Sequence, residues 1–134
     1  MSRKTCLIAV VAGIICNAQR EILIALRPQH VPQGDLWEFP GGKIEPTETP
    51  FIALQRELQE EVGIQVIHAK PFMQIHHAYP ERNVDLDVWW VEEFVGVPHG
   101  VEGQEVRWVR PVDLLLLKFP SANLPIIEKL QHCT

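Results

Sequence analysis

A short segment with clearly marked ends constrains the fold of this chain more than any other feature. Thr49 offers an N-cap hydroxyl, Pro50 suits the first helical position, and Gly63 suits the left-handed residue that ends a helix. The pattern therefore predicts a helix from Pro50 to Val62. At about 100° per residue, one stripe of this helix is apolar and suited to packing on a sheet. Its members are Phe51, Leu54, Leu58 and Val62.

Three glutamates lie beside that stripe. Glu57, Glu60 and Glu61 fall within an arc of about 100° of helix surface. Like charges one turn apart repel each other, so we expect a cation to compensate them. One interpretation is a solvated acidic face on which Arg56 pairs with Glu60. The other is a magnesium site, because Mg²⁺ prefers hard oxygen ligands and is commonly held between carboxylates and substrate phosphates.

Five apolar segments with the composition of strands accompany the helix. They are Thr5 to Ile15, Glu21 to Arg27, Gln65 to Ile75, Val84 to Glu93 and Glu105 to Val109. A second helix is predicted from Leu124 to Gln131, and a short one after Pro111. Strands in hairpins, together with helices that cover a mixed sheet, predict an α/β/α sandwich. At 134 residues, we expect a single domain over residues 1–134.

The first apolar segment has two interpretations. Arg3 and Lys4 precede an apolar run from Cys6 to Cys16, which is similar to the start of a secretory signal. The run is rich in Val and Ile, however, and a turn-like Asn17 to Arg20 separates it from a second apolar stretch, Ile22 to Leu26. That arrangement is typical of a hairpin. Because no stretch approaches membrane-spanning length, we expect no membrane partner.

Charge and cysteine content exclude several classes of function. The net charge of −5 leaves no sequence-wide basic field, so we expect no polynucleotide partner. The three cysteines contain no C-x-x-C pair, which argues against a disulfide framework and against a zinc site. A reducing cytoplasm fits this composition. We expect a cytoplasmic protein with a small-molecule partner, present as a monomer or weak dimer.

The segment around the glutamates matches a known motif. It reads Gly42, five residues, Glu48, seven residues, Arg56, Glu57, Leu58, one residue, Glu60, Glu61, one residue, Gly63, Ile64. These residues match every fixed position of the Nudix box, so the chain resembles the Nudix hydrolases. The resemblance implies the Nudix-type sandwich. It also implies water attack on phosphorus in a nucleoside-diphosphate-linked substrate, with Mg²⁺ as cofactor and Mn²⁺ as its substitute.

The resemblance also implies a set of metal ligands. In the family, the glutamates of the Arg-Glu and Glu-Glu pairs bind the metals, and here they are Glu57, Glu60 and Glu61. The residues themselves suggest two more features. Glycines let backbone approach a metal or phosphate closely, and the Gly41 carbonyl is a further candidate oxygen ligand. Glu48, placed before the helix, suits a cap of free N–H groups or a partner for Arg56.

Two glutamates are candidates for the general base. Glu57 is the first candidate, because it lies in the motif. Glu102, which arrives from a loop outside the helix, is the second candidate and a further candidate metal ligand. A bound cation lowers the pKa of a carboxylate and makes it a poor base, and this favours a residue such as Glu102 that is held less tightly.

Segments outside the box resemble the MutT branch, which hydrolyses oxidised guanine nucleotides. They are Glu38 to Glu45, Glu102 to Gln104 before Trp108, and Phe119 to Asn123. The resemblance implies hydrolysis of 8-oxo-dGTP to 8-oxo-dGMP and pyrophosphate, which protects the nucleotide pool. Alternative substrates are CTP or a modified cytidine nucleotide, ADP-ribose and a dinucleotide. A protein of another class, a sensor that binds a nucleotide without cutting it, is a further alternative.

Asn123 is the candidate residue for reading the base. Its amide offers one donor beside one acceptor. That pair complements the N7–H donor and O6 acceptor of 8-oxoguanine and mismatches the two acceptors of guanine. The alternative is a purely structural role, in which Asn123 caps the helix that begins at Leu124.

Other candidate substrate contacts follow from the MutT resemblance. Arg27 and Arg82 each match an arginine of MutT-like proteins, although a lone arginine is usually a surface charge. The segment that lines the nucleotide pocket in that branch corresponds here to Glu38, Phe39, Pro40 and Gly41. Phe39 also suits a position in the core.

Some residues depart from the pattern or invite another interpretation. Thr47 replaces the glycine that is usual before the box glutamate, and Pro32 stands where a polar substrate contact is expected. The histidines His30, His76 and His77 suggest a metal site. Adjacent strand residues point to opposite faces, however, so His76 and His77 form a poor chelate and we interpret all three as structural.

Overall fold

The computed structural model describes residues 6–28 and 34–133. Within these residues, seven strands and two α-helices occur in the order β1 (Leu7–Ile15), β2 (Ile22–Leu26), β3 (Trp37–Glu38), β4 (Gly41–Lys43), α1 (Pro50–Val62), β5 (Gln65–Tyr79), β6 (Arg82–Val95), β7 (Val106–Val109) and α2 (Leu124–Gln131). Two short 3-10 helices, Pro111–Leu116 and Ser121–Asn123, precede α2. The positions Arg3, Lys4, Thr5, His30 and Pro32 considered above lie outside the described residues.

The strands form two sheets. The first has the order β4-β1-β6-β5, and the second has the order β3-β2-β7. In the first sheet β1 is parallel to β6 and antiparallel to β4, while β5 and β6 form an antiparallel hairpin. The predicted mixed sheet is therefore confirmed. Its division from a second, smaller sheet was not predicted.

β1 and β2 do not form the predicted hairpin. The chain does turn between them, where the Asn17 side chain accepts the N–H groups of Gln19 and Glu21 at 3.0 and 2.9 Å. An isolated bridge between Cys16 and Ile22 joins the strand ends. Beyond it the strands diverge, because β1 pairs with β4 and β6 whereas β2 pairs with β3 and β7. The turn was predicted correctly and the pairing was wrong.

Strand β1 lies between two apolar cores. Val11 and Ile15 pack with α1, whereas Ala12 and Ile14 pack in the core that contains α2. Gly13 lies directly under α1, where a Cβ would come within 3.0 Å of the Leu58 side chain. Helices on both faces of the sheet confirm the predicted α/β/α sandwich. Burial on both faces explains the apolar sequence of the second half of β1, from Val11 to Ile15.

The ends of α1 are confirmed as predicted. The Thr49 hydroxyl accepts the N–H of Ile52 at 3.2 Å, and Gly63 adopts a left-handed φ of 71°. The buried positions of the helix are Ala53, Leu54, Leu58 and Val62. Phe51, predicted for this stripe, is half-buried and packs against Trp89 with ring centroids 5.8 Å apart.

The hairpin of β5 and β6 is longer than predicted at its turn end. Pairing continues to Tyr79 and Arg82, and His76 lies opposite Asp85 with their side chains hydrogen-bonded. These outer residues are polar and partly exposed, so they lack the apolar pattern of a strand. None of the helices formed by the described residues is long and apolar enough to span a membrane.

Candidate active site

Arg56 holds the acidic face of α1 together. Its Nε and Nη2 donate to the two carboxylate oxygens of Glu48, both at 2.7 Å. Its Nη1 donates to Glu57 at 2.8 Å and to Glu60 at 3.3 Å, and Nη2 also reaches the Lys43 carbonyl at 3.0 Å. Bidentate contacts of this kind are among the strong ion pairs. Arg56 is the expected compensating cation, and it lowers the pKa of Glu48 to about 2.

The two glycines of β4 are required by close packing of the protein itself. A Cβ at Gly42 would lie 2.3 Å from the carboxylate of Glu57, and one at Gly41 would lie 1.9 Å from the Val11 carbonyl oxygen. From the sequence, these glycines were expected to allow close approach of a metal or phosphate. In the structure, protein atoms already fill that space. Burial raises the pKa of Glu57, and the hydrogen bond from Arg56 opposes that rise.

Glu61 faces inward at the edge of the apolar stripe. Its Oε2 accepts the N–H of Gly41 at 3.0 Å. Burial, followed by the nearby negative charge of Glu38, raises the pKa of Glu61 to about 8. A positive charge beside this carboxylate would favour its charged form. The position therefore suits a carboxylate that is balanced by a cation.

Two adjoining clefts lie at this end of the molecule. The first, of about 780 Å³, is called the acidic cleft here, and its lining includes Arg27, Glu38, Glu57, Glu60, Glu61 and Glu102. The second, of about 260 Å³, is called the apolar cleft, and its lining includes Arg27, Glu38, Phe39, Gly41, Arg82 and Asn123. Arg27 and Glu38 line both, and they form an ion pair at 2.9 Å. This pair joins the two clefts.

Packing shapes the apolar cleft. Phe39 is buried and stacks on Phe119 with ring centroids 5.3 Å apart, so it belongs to the core and lines the cleft as well. Tyr79 also lines the cleft, and its hydroxyl accepts the N–H of Ala122 at 3.2 Å. The Asn123 side chain makes no cap hydrogen bond to α2. Asn123 thus occupies the N-cap position of α2, as the alternative predicted, but without the side-chain hydrogen bond of a cap.

The comparison with known proteins decides the family. The sequence model of the NUDIX domain matches residues 11–129. The chain belongs to the Nudix family. It is accordingly a hydrolase of phosphoric anhydride bonds, in a family that generally uses a divalent metal.

Individual relatives support the MutT-like branch. The 8-oxo-dGTP diphosphatase of Escherichia coli K12 is 44% identical over 123 residues, which cover 92% of this chain and 95% of that protein. The CTP pyrophosphohydrolase of the same organism is 37% identical over 122 residues, covering 91% and 90%. A solved MutT structure, from work on the Aliivibrio salmonicida and Vibrio cholerae proteins, has a TM-score of 0.83 and 41% identity, covering 96% and 99%. This Nudix hydrolase is thus MutT-like over nearly its whole length.

The fold of the Nudix hydrolase brings the predicted site residues together with one exception. Pro40 lies between two predicted contact residues, yet it is not among the residues that line the two clefts. Its carbonyl accepts the N–H of Gly13 at 2.8 Å, so it fastens β4 to β1. Tyr79 was not predicted from the sequence, and Gln104 was given no role, although Gln104 lies within a segment that had been singled out.

The acidic cleft has the donor chemistry of a divalent metal site. Its glutamates supply hard carboxylate oxygens, which Mg²⁺ and similar ions prefer. Within residues 6–28 and 34–133 no three such groups already converge on one point. The three box glutamates point to different partners. Glu57 and Glu60 contact Arg56, whereas Glu61 contacts Gly41. The raised pKa of Glu61 is consistent with a cation site, because a bound cation would favour the charged carboxylate.

Proposed function

We propose that this Nudix hydrolase uses Mg²⁺ to convert 8-oxo-dGTP to 8-oxo-dGMP and pyrophosphate, and so protects the nucleotide pool. The observation that carries the proposal is the position of Asn123. Its amide lines the apolar cleft and is not used to cap α2, while the glutamates line the adjoining acidic cleft. A base-reading group and a phosphate-cleaving group thus lie side by side.

Asn123 would select the oxidised base through hydrogen-bond complementarity. An amide can accept from N7–H and donate to O6 of 8-oxoguanine. Guanine presents acceptors at both N7 and O6, so it leaves the amide oxygen without a donor. A site with an unpaired buried polar group rejects the wrong ligand strongly. The 44% identical 8-oxo-dGTP diphosphatase of Escherichia coli supports this choice of substrate.

Residues shared by the clefts would hold the middle of the nucleotide. Arg27 lines both clefts and carries positive charge at their junction, so it suits a contact with the nucleotide between base and phosphates. Glu38 orients Arg27 through their ion pair. Phe39 and the Gly41 backbone would border the base, and Arg82 would close the cleft from the turn of the β5–β6 hairpin.

Carboxylates on α1 would hold the metal. When bound, a divalent cation supplies positive charge beside the phosphates and makes a nearby water easier to deprotonate. Glu57, Glu60 and Glu61 are the proposed ligands, with the Gly41 carbonyl as a further oxygen. Arg56 orients Glu57 and Glu60 through its hydrogen bonds. It is a positioning residue in this scheme.

Glu102 is the better candidate for removing the proton from the attacking water. Within the described part of the chain its carboxylate has no hydrogen bond or ion pair, and it lines the acidic cleft from the loop between β6 and β7. The Glu57 carboxylate is engaged by Arg56 and packed against Gly42. A general base must reach the water that it deprotonates, and a carboxylate with no other partner can turn toward that water.

Pyrophosphate release tests the proposal directly. The wild type and the Glu57→Gln variant would be assayed with Mg²⁺ on 8-oxo-dGTP, dGTP, CTP and ADP-ribose in parallel. We expect a strong preference for 8-oxo-dGTP in the wild type, and a loss of hydrolysis on every substrate in the variant. Activity on the other substrates without that preference would contradict the role of Asn123 and leave the hydrolysis of phosphoric anhydrides unaffected.

CTP is the second candidate substrate. A CTP pyrophosphohydrolase from Escherichia coli is 37% identical over almost the same share of this chain. The parallel assay separates the two candidates, because a CTP enzyme would prefer CTP to both guanine nucleotides.

A further inference from the structure

The loop that follows β6 is fastened to the C-terminal end of α1. The N–H of His99 donates to the Val62 carbonyl at 3.0 Å, and the N–H of Val101 donates to the Glu61 carbonyl at 3.1 Å. The last carbonyls of a helix lack partners within the helix, so these bonds satisfy groups that would otherwise need water. The loop therefore has a fixed relation to the helix that carries the box glutamates.

The side chain of Gln104 adds a second connection at the same place. Its Oε1 accepts the N–H of Glu102 at 2.9 Å, while its Nε2 donates to the carbonyl of Glu61 at 3.0 Å. One amide thus bonds to the backbone of two residues whose carboxylates line the acidic cleft. Both hydrogen-bonding ends of the amide are used, so its orientation is defined.

The backbone around Gln104 has little freedom to move. A Cβ at Gly100 would lie 1.9 Å from the Gln104 carbonyl oxygen, so the loop closes tightly on itself. Gly103, between Glu102 and Gln104, has a φ of 82°, a conformation that favours glycine. The Glu102 side chain has no partner of its own among the described residues, so its position depends on this backbone.

We propose that Gln104 is a positioning residue that sets the Glu102 carboxylate relative to the metal-binding face of α1. The inference deepens the proposed function, because it rests on a role of Glu102 in hydrolysis. Reacting groups must be held within a fraction of an ångström, and a misplacement of about 1 Å can reduce the rate about 100-fold. The hydrogen bond of Gln104 to the Glu102 backbone supplies that precision for a side chain without its own partner.

The competing role for Gln104 is that of a helix cap that stabilises the fold and nothing more. Gln131 provides a matched control for that role. Its Nε2 donates to the carbonyls of Pro111 and Ile127 at 2.7 and 3.2 Å, so it too clasps backbone groups of two elements. It is not among the residues that line either cleft. Loss of its hydrogen bonds reports on stability alone.

A double-mutant cycle tests the proposal. We would measure kcat, KM and Tm for the wild type, Gln104→Leu, Glu102→Gln, the double variant and Gln131→Leu, using the nucleotide that the wild type hydrolyses fastest. We expect Gln104→Leu to lower kcat about tenfold or more with a smaller change in KM. The double variant should be no slower than Glu102→Gln, because Gln104 acts through Glu102. Gln131→Leu should lower Tm and leave kcat unchanged.

Three results would overturn the inference. Independent, multiplicative losses of kcat in the double variant would mean that Gln104 acts by another route. A lowered Tm with unchanged kcat in Gln104→Leu would make it a cap only. An unchanged kcat in Glu102→Gln would remove the residue that Gln104 positions. Because the substrate is chosen by measured rate, a failed preference for 8-oxo-dGTP is recognised separately in the substrate comparison.

Discussion

The acidic cleft and the apolar cleft share Arg27 and Glu38 but are held together by different forces. In the acidic cleft, ion pairs from Arg56 set the positions of charged side chains on one helix and the loop before it. In the apolar cleft, packed rings and backbone bonds join segments that are distant in the chain, as in the stack of Phe39 on Phe119. In the proposed function, the α1 carboxylates that carry the reaction therefore depend on local charge balance, whereas substrate choice depends on tertiary packing.

Substitution of Glu57 should have the largest effect, because it should lower the rate without changing substrate preference. Glu57→Gln keeps the size of the side chain and removes its charge, so we expect kcat to fall about 1,000-fold on every substrate, within the range for loss of a catalytic acid–base or metal-ligand group. Pyrophosphate release measures the loss. Glu128→Gln on α2 is the control and should retain full activity. A change in substrate preference without loss of rate would contradict the division between the clefts.

The two glycines of β4 should respond differently to the same substitution. In Gly42→Ala the new Cβ meets a side chain, Glu57, which can move away, so we expect a folded protein with activity reduced about 100-fold. In Gly41→Ala the new Cβ meets the backbone of Val11, which cannot move away. We therefore expect the free energy of unfolding to fall by more than about 2 kcal/mol. Denaturation curves and rates measured together distinguish these effects. Equal stability of the two variants would contradict the prediction.

Substitution of Asn123 should affect substrate choice more than rate. Loss of the amide in Asn123→Ala removes the base-reading hydrogen bonds, so we expect the ratio of kcat/KM for 8-oxo-dGTP over dGTP to fall about tenfold or more. The glutamates are untouched, and the hydrolysis of dGTP should change little. Equal loss on both nucleotides would show that Asn123 has a general structural role.

The smallest effect is expected from the pH dependence of the Glu48–Arg56 pair. The pKa of Glu48 is lowered from 4.5 to about 2 in the folded protein. The pair therefore stabilises the fold above pH 4.5, and this contribution is lost as the pH falls from 4.5 through about 2. Thermal melts of the wild type and Glu48→Gln should differ at pH 6 and converge toward pH 2. A difference in Tm between the two proteins that grows on acidification would contradict the role of the Glu48–Arg56 pair.

The sequence predicted the ends of α1 and the pairing of Arg56 with Glu48 because the signals are local. Thr49, Pro50 and Gly63 specify the helix ends, and the partner of Arg56 lies only eight residues away, at Glu48. β3 and β4 were not predicted, because strands of two and three residues have no periodicity and are defined only by their pairing with β2 and β1.

Contacts between distant segments account for the rest of the difference. The hydrogen bonds from Ala122 to Tyr79 and from Gln104 to Glu61 each span 43 residues. A single sequence contains no local pattern that pairs such residues, so their roles could be identified only from the fold. The split of β1 and β2 between two sheets was missed for the same reason, because a turn does not determine what a strand pairs with after it.

The parallel pairing of β1 with β6 determines when the site can assemble during synthesis. Among the described residues β1 is the first strand in sequence, and its parallel neighbour in the sheet is the sixth. Connections of that length form slowly, because loop closure precedes any gain from the contact. A nascent chain that extends only to β5 therefore has its helical carboxylates but neither the completed sheet nor the loop that carries Glu102. Hydrolytic competence should therefore arise only after β6 and the loop that carries Glu102 have been synthesised.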